Sequence, residues 1–162
     1  MASQWHSLVS QKLFLARTLL DDSGTPADAP HSALRQEAAL QGATELLLRA
    51  RRLLLVMVAR LYQHRSGEPD NLEALADLVG TEASELGLLQ ELARQGSSWW
   101  NHLEQLEAAQ SRPPATKKTV SADNIIAVSA AAGPDRSSAG LRATLDAMKK
   151  FADDLEERHS EW

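Results

Sequence analysis

Cysteine is absent from the chain, and disulfide bridges, thiol catalysis and thiolate metal sites go with it. Aromatic residues are few: two Phe, one Tyr and four Trp make up 4% of the sequence. Val, Ile and Thr are sparse too, so there is little material for strands, which favour β-branched and aromatic residues. A basic excess is missing. Seventeen Lys and Arg stand against 22 Asp and Glu, a formal net charge of −5, which counts against a general nucleic-acid binder. A long apolar run is missing as well. The most apolar stretch, residues 53–58, is bounded by Arg51, Arg52 and Arg60 and is far too short to cross a bilayer. The first six residues, Met1, Ala2, Ser3, Gln4, Trp5 and His6, carry neither a basic region nor a small-residue cleavage site. No secretory signal is therefore expected, and the cytoplasm is the expected location.

Leucine and alanine dominate what is present, and both favour helix. Hydrophobic residues make up 43% of the 162 and charged residues 24%, enough for a core and an ordinary wet surface. The expectation is one all-α domain over residues 1–162, an irregular helical bundle of five to six helices around one long central helix.

Apolar periodicity places the elements. Trp5, Leu8, Val9, Leu13, Ala16, Leu19 and Leu20 recur at three- and four-residue steps and predict a first helix over residues 3–20, with Phe14 widening its inner stripe. A second helix is predicted from Ser32, as N-cap, to a stop at Gly67. Its wet face carries Glu37, Gln41, Glu45, Arg49 and Arg52. Within it, residues 53–58 are apolar all round, so they must be covered on several sides. Gly42 marks a bend or a close crossing. A third helix should be capped by Asp70 with Glu73 three residues on, and end at Gly80. Thr81 would cap a fourth, ending at Gly96. Ser97 or Ser98 would open a fifth, which Pro113 and Pro114 end. Residues 111–137 are expected to form an irregular stretch packed on the bundle, with an apolar knot at Ile125, Ile126, Ala127 and Val128. A last helix over residues 138–158 carries Leu141, Leu145, Met148, Ala152 and Leu155 at four-three spacing, the pattern of a helix that packs on a partner helix.

The candidate sites are weak in chemistry. Glu156 and His159 form one Glu-x-x-His pair, whereas a di-iron bundle needs two such pairs and two further Glu. His159 is better read as a solvated helix end, where a cation suits the dipole. Arg60 and His64 resemble the nuclease pair of helical RNA-cleaving domains, but three residues separate them where those domains place four to six. Arg49, Arg51, Arg52, Arg60 and Arg65 spread around the long helix instead of lining one face. Nucleic-acid binding through them ranks below solvated arginines with local pairing. Trp99 and Trp100 point about 100° apart on a helix. One is expected in the core and the other at a boundary or groove, where tryptophan anchors partners, unless a neighbouring helix or the residues near 120 cover it. No catalytic, cofactor or metal motif is recognisable.

The layout also resembles a family of short bacterial proteins, chiefly gammaproteobacterial, known only as a domain of unknown function. The residues that carry the resemblance are Gln11, Lys12, Leu13, Phe14, Leu15, Ala16 and Arg17, the helix of residues 38–62, residues 72–80, Ser98, Trp99 and Trp100, and Asn124, Ile125, Ile126 and Ala127. Together they cover most of the chain. The resemblance implies a helical cytoplasmic protein and supplies no activity, cofactor or functional residue.

The functional expectation is a non-enzymatic interaction or adaptor protein. Its partner would be another protein or a second copy, met through Trp99, Trp100, Arg49, Arg52 and Arg60. Nucleic-acid association through the arginines of the long helix is the alternative, and an enzyme whose site assembles only in space comes third.

Overall fold

The structure, a computed structural model, describes residues 3–23, 31–113 and 133–160. Among these residues the chain forms six helices and no strand: α1 (Gln4–Ser23), α2 (Ser32–Leu61), α3 (Leu72–Val79), α4 (Ser84–Arg94), α5 (Trp99–Gln110) and α6 (Ser138–Ser160). The fold is all-α. The apolar knot at residues 125–128 lies outside the described residues. Residues 111–113 and 133–137 at the two ends of that stretch are non-helical.

α2 is the axis of the bundle. Its 30 residues span about 45 Å, and it touches α1, α3, α5 and α6. Residues 54–59 are all buried, which is the enclosure their all-round apolar character demands. Leu53 faces the edge and is half-buried. The closest packing is with α1. A Cβ added at Gly42 would stand 3.0 Å from Leu19 Cδ1, so this glycine marks a close crossing. α6 presents Leu141, Leu145, Met148, Ala152 and Leu155, all buried, to the other helices.

Several boundaries differ from expectation, each for a local reason. α2 stops at Leu61, before Gly67 is reached. The His64 N–H donates to Ala59 O (3.0 Å) and the Gln63 N–H to Arg60 O (3.0 Å), with Gln63 in the left-handed region at φ 64°. This is a Schellman closure with glutamine where glycine is usual. Left-handed backbone costs an ordinary residue roughly 1–2 kcal/mol, and glycine costs about half of that in the unfolded chain. Gln63→Gly is accordingly expected to raise stability by about 0.5–1 kcal/mol, read as a higher urea midpoint at unchanged slope.

The cap of α2 is His31, without a side-chain bond, and Ser32 is already helical. The cap of α3 is Asn71 and not Asp70. Asn71 Oδ1 accepts from Ala74 N at 2.8 Å, while its amide donates to Asp70 Oδ1 at 2.9 Å, so Asp70 orients the cap. Thr81 caps nothing. α4 starts at Ser84 behind Ala83, because Gly80 at φ 84° is followed by a turn in which the Ala83 N–H donates to Gly80 O (3.3 Å). α4 ends at Arg94 with Gln95 as its C-cap, ahead of Gly96. Ser98 does open α5. Its hydroxyl accepts from Asn101 N (3.1 Å) and donates to Leu92 O at the end of α4, tying the two helices end to end.

The largest departure is in α1. Val9, Leu13, Ala16 and Leu20 form the buried stripe. Phe14 does not widen it; the side chain is 68% exposed, beside Leu15 at 41%. α1 packs against α2 and α6, and both lie on the Leu13 side.

Candidate functional site

The two tryptophans are both buried, Trp99 at 7% and Trp100 at 3% exposure. The second indole is covered by neighbouring helices, the alternative weighed against an exposed anchor, while Trp100 still lines the edge of a groove. Adjacent positions can both be enclosed when a helix is covered on two sides, and α5 is flanked by α4, α6 and α2. Trp99 packs at 5.6 Å on Phe151 of α6 and at 5.7 Å edge-on to Trp100. Trp100 donates its Nε1–H to Glu104 (2.9 Å). The Arg51 guanidinium of α2 stands 5.1 Å from its ring centroid, within cation–π range.

Around this contact the structure assembles an ionic cluster. Arg51 and Arg52 both pair with Glu107 of α5, Arg52 at 3.2 Å. Arg52 and Trp100 are thus brought to one place, through Glu107 and Arg51. Arg51 was readable in principle. It falls at four- and three-residue steps between Leu47, Leu54 and Val58, all buried, so it is a cation on the core stripe. Beside the cluster runs a groove of about 370 Å³ lined by Arg51, Trp100, Glu104, Glu107, Asn71 and Arg112, among others. Asp70 lines it too, so three carboxylates meet two guanidiniums, and the groove offers no excess charge to an anion.

The other arginines lie apart. Arg49 is exposed on α2. Arg60 serves the fold: its guanidinium donates to the His64 and Gly67 carbonyls, the latter at 2.7 Å, and lies 5.0 Å from the Trp5 ring centroid.

A buried polar knot joins α2, α4 and α6. Glu85, in the first turn of α4, accepts hydrogen bonds from the Tyr62 hydroxyl, from Ser84 Oγ (2.9 Å) and from His159 Nε2 (2.9 Å). Burial pushes the Glu85 carboxyl up, but the bonds from Tyr62 and His159 outweigh it and hold it at about 2. Burial, then the same carboxylate, push the Tyr62 phenol up. A carboxylate this acidic is a poor base at neutral pH, so the knot acts as a clasp. His159 is therefore not a solvated helix end. It is half-buried and bound to a helix 74 positions away in sequence.

A third cluster has the outline of a nucleophile and its base. His102 Nδ1 lies 2.6 Å from Thr144 Oγ1 and Nε2 lies 2.7 Å from the Asp135 carbonyl. A carbonyl only accepts, so Nε2 carries the proton and the Thr144 hydroxyl donates to Nδ1. Thr144 is buried and does not line the groove beside Arg51 and Trp100. The cluster pins α5 to α6. Among the described residues, no group of three or more His, Asp or Glu is arranged to hold a metal ion, and no helix is long and apolar enough to cross a membrane.

What is left over is the outer face of α1. Ser7, Gln11, Phe14, Leu15 and Thr18 are exposed on it and uncharged, with Asp21 and Asp22 exposed at its C-terminal end. Thr18 spends its hydroxyl on the Phe14 carbonyl (3.0 Å), and Arg17 at the edge is held by Asp146 of α6. One of the chain's two phenylalanines therefore stands in solvent at the middle of a 20-residue helix. Periodicity alone could not find this face, since it assigns every apolar residue inward.

No curated protein and no solved structure matches the chain. It matches the family of unknown function DUF6586 over residues 1–162, and it belongs to that family.

Proposed function

We propose that the protein is a non-enzymatic helical adaptor of the bacterial cytoplasm, acting through contact with protein partners, and that the outer face of α1 is the contact surface. The observation that carries this reading is Phe14, 68% exposed beside Leu15 on an uncharged stripe. Covering a phenylalanine is worth roughly 1.5–3 kcal/mol, a gain the monomer forgoes and a partner would collect. Exposed apolar residues scattered singly, such as Leu34 and Leu88, carry no such meaning.

The polar clusters support the same reading from the other side. Three of the five arginines named for nucleic acid, Arg51, Arg52 and Arg60, are spent on contacts within the molecule. Against the opposing effect of burial, the bonds from Tyr62 and His159 hold the Glu85 carboxyl low, which makes it a poor base at neutral pH.

Phe14→Glu is expected to leave the fold intact, with the urea midpoint within about 0.5 kcal/mol of wild type, as for other surface changes. It should abolish co-purification of partners from the native cell, while Arg49→Glu should not. Equal recovery of the same proteins by wild type and Phe14→Glu would overturn the proposal.

A further inference from the structure

We propose that the acidic face of α3, with the groove between α3 and α5 that it opens into, holds a basic segment of another polypeptide. The Lys or Arg side chains of that segment lie on α3 and its backbone lies against Arg51. This surface is independent of the α1 face, since α1 packs on α2 and α6 while α3 packs on α2 and α4.

Charge is unevenly spread along the chain. Residues 66–93 hold seven Asp and Glu and no Lys, Arg or His, against a net charge of −5 for the whole. Elsewhere acids are spent on ion pairs: Asp146, Asp153 and Asp154 of α6, Glu107 of α5 and Glu37 of α2 each meet a cation. On α3 they are not. Asp70, Glu73 and Asp77 follow at steps of three and four, so they share one face, and all three are exposed. Among the described residues none of them pairs with a cation, and Asp70 takes only the Asn71 amide. Glu73 suits the first turn of α3. Asp77 stands in the last turn, where the dipole disfavours an acid, and four residues from a like charge, which a helix also resists. A cation laid along this face relieves both.

Spacing selects the kind of cation. Side chains at these steps stand about 5–6 Å apart at Cβ, and among the described residues no three of His, Asp and Glu converge as metal ligands. A row of Lys or Arg side chains matches the row of carboxylates, whereas a phosphate backbone is repelled by it.

The groove selects a polypeptide as the carrier. Asp70 lines it together with Glu104 and Glu107 of α5. Arg51 lies in its wall and is 7% exposed. The Arg51 Nη2 is held by Glu107, but the buried Nη1 has no acceptor among the described residues. A buried donor without an acceptor is costly, and a bare cation cannot serve it. A backbone carbonyl can. A peptide in the groove brings both groups, a carbonyl for Arg51 and cationic side chains for Asp70, Glu73 and Asp77. Contacts between exposed charges are individually small and screened by salt. The complex is therefore in exchange and does not survive the washes of a pull-down, so capture through the α1 face is read separately.

The test is an NMR titration of the full chain with an end-capped heptalysine peptide at low salt. Shifts are expected at the backbone N–H groups of residues 70–77 and at the Trp100 indole N–H, which donates to Glu104 in the same groove. Affinity should fall steeply as salt is raised. Glu73→Gln combined with Asp77→Asn should weaken binding at least tenfold. Glu45→Gln combined with Glu157→Gln, the same change in net charge on α2 and α6, should leave it within twofold. Spermine, a cation without a carbonyl, should move the α3 signals and leave the Trp100 indole in place. Heptalysine that moves no signal overturns the proposal, and so does an equal loss of affinity in the two double variants. Spermine that moves the Trp100 indole as far as the peptide does overturns it as well. So does peptide binding that begins only once Lys117 and Lys118 are replaced by Ser, which would give the surface to the chain's own lysines.

Discussion

Glu85→Ala is expected to destabilise the protein by about 3 kcal/mol, a large share of the roughly 5–15 kcal/mol that holds a domain folded. The cause is what remains after the carboxylate is removed. Glu85 is 3% exposed, and it alone among the described residues accepts from the Tyr62 hydroxyl and His159 Nε2. Without it, two donors from α2 and α6 are left at a partly buried site with no acceptor, and α4 loses the acid in its first turn. The same group sets an acid limit. Its carboxyl ordinarily titrates at 4.5 and in the fold is held at about 2. Because the folded value is the lower one, its contribution is complete above about pH 4.5 and is lost as pH falls toward 2. The slope across that window reaches at most about 1.4 kcal/mol per pH unit for one proton. Urea unfolding from pH 6 down to pH 2 should show wild type losing stability faster than Glu85→Gln, which has no proton to take up. Parallel curves would show that the knot does not hold its charge.

Leu54→Ala is expected to cost about 3–5 kcal/mol, and Leu53→Ala less than half as much. The residues are adjacent and chemically identical, so the contrast isolates enclosure. Leu54 is fully buried where α2 meets its neighbours, and truncation there leaves a cavity that packed helices close only in part. Leu53 is half-buried, so water and neighbouring side chains fill the space its truncation leaves. Equal losses, measured as urea midpoints at constant slope, would mean that α2 is not enclosed as described.

Both experiments probe features with different histories in the sequence. Enclosure was expected for residues 53–58 because an apolar run on every side of a helix has one physical solution; residues 54–58 are buried and Leu53 is only half-buried. The inner face of α6 was legible for a similar reason: its spacing is local and strict. The knot at Glu85 was not. Tyr62 and His159 lie 23 and 74 positions away, and nothing local shows that three helix ends meet. Trp99 and Trp100 illustrate the limit of the helical wheel. It gives the angle between two side chains but not how many sides of the helix are covered. Phe14 shows the same limit in reverse, since its apolar character predicted an inner position on a side that α2 and α6 leave open. N-caps slipped by one or two residues, at α3 because Asn71 took the capping role from Asp70.

Site-specific photo-cross-linking in the native cell tests most directly whether the α1 face is a protein contact surface. A photoreactive residue would replace Ser7, Gln11, Phe14 or Thr18 on α1, or Glu45 or Arg49 on the wet face of α2, one at a time. Defined adducts are expected at the four α1 positions, strongest at position 14, and background at the two α2 positions. Adducts at 45 and 49 with none at 14, or the same faint yield at all six, would contradict the account.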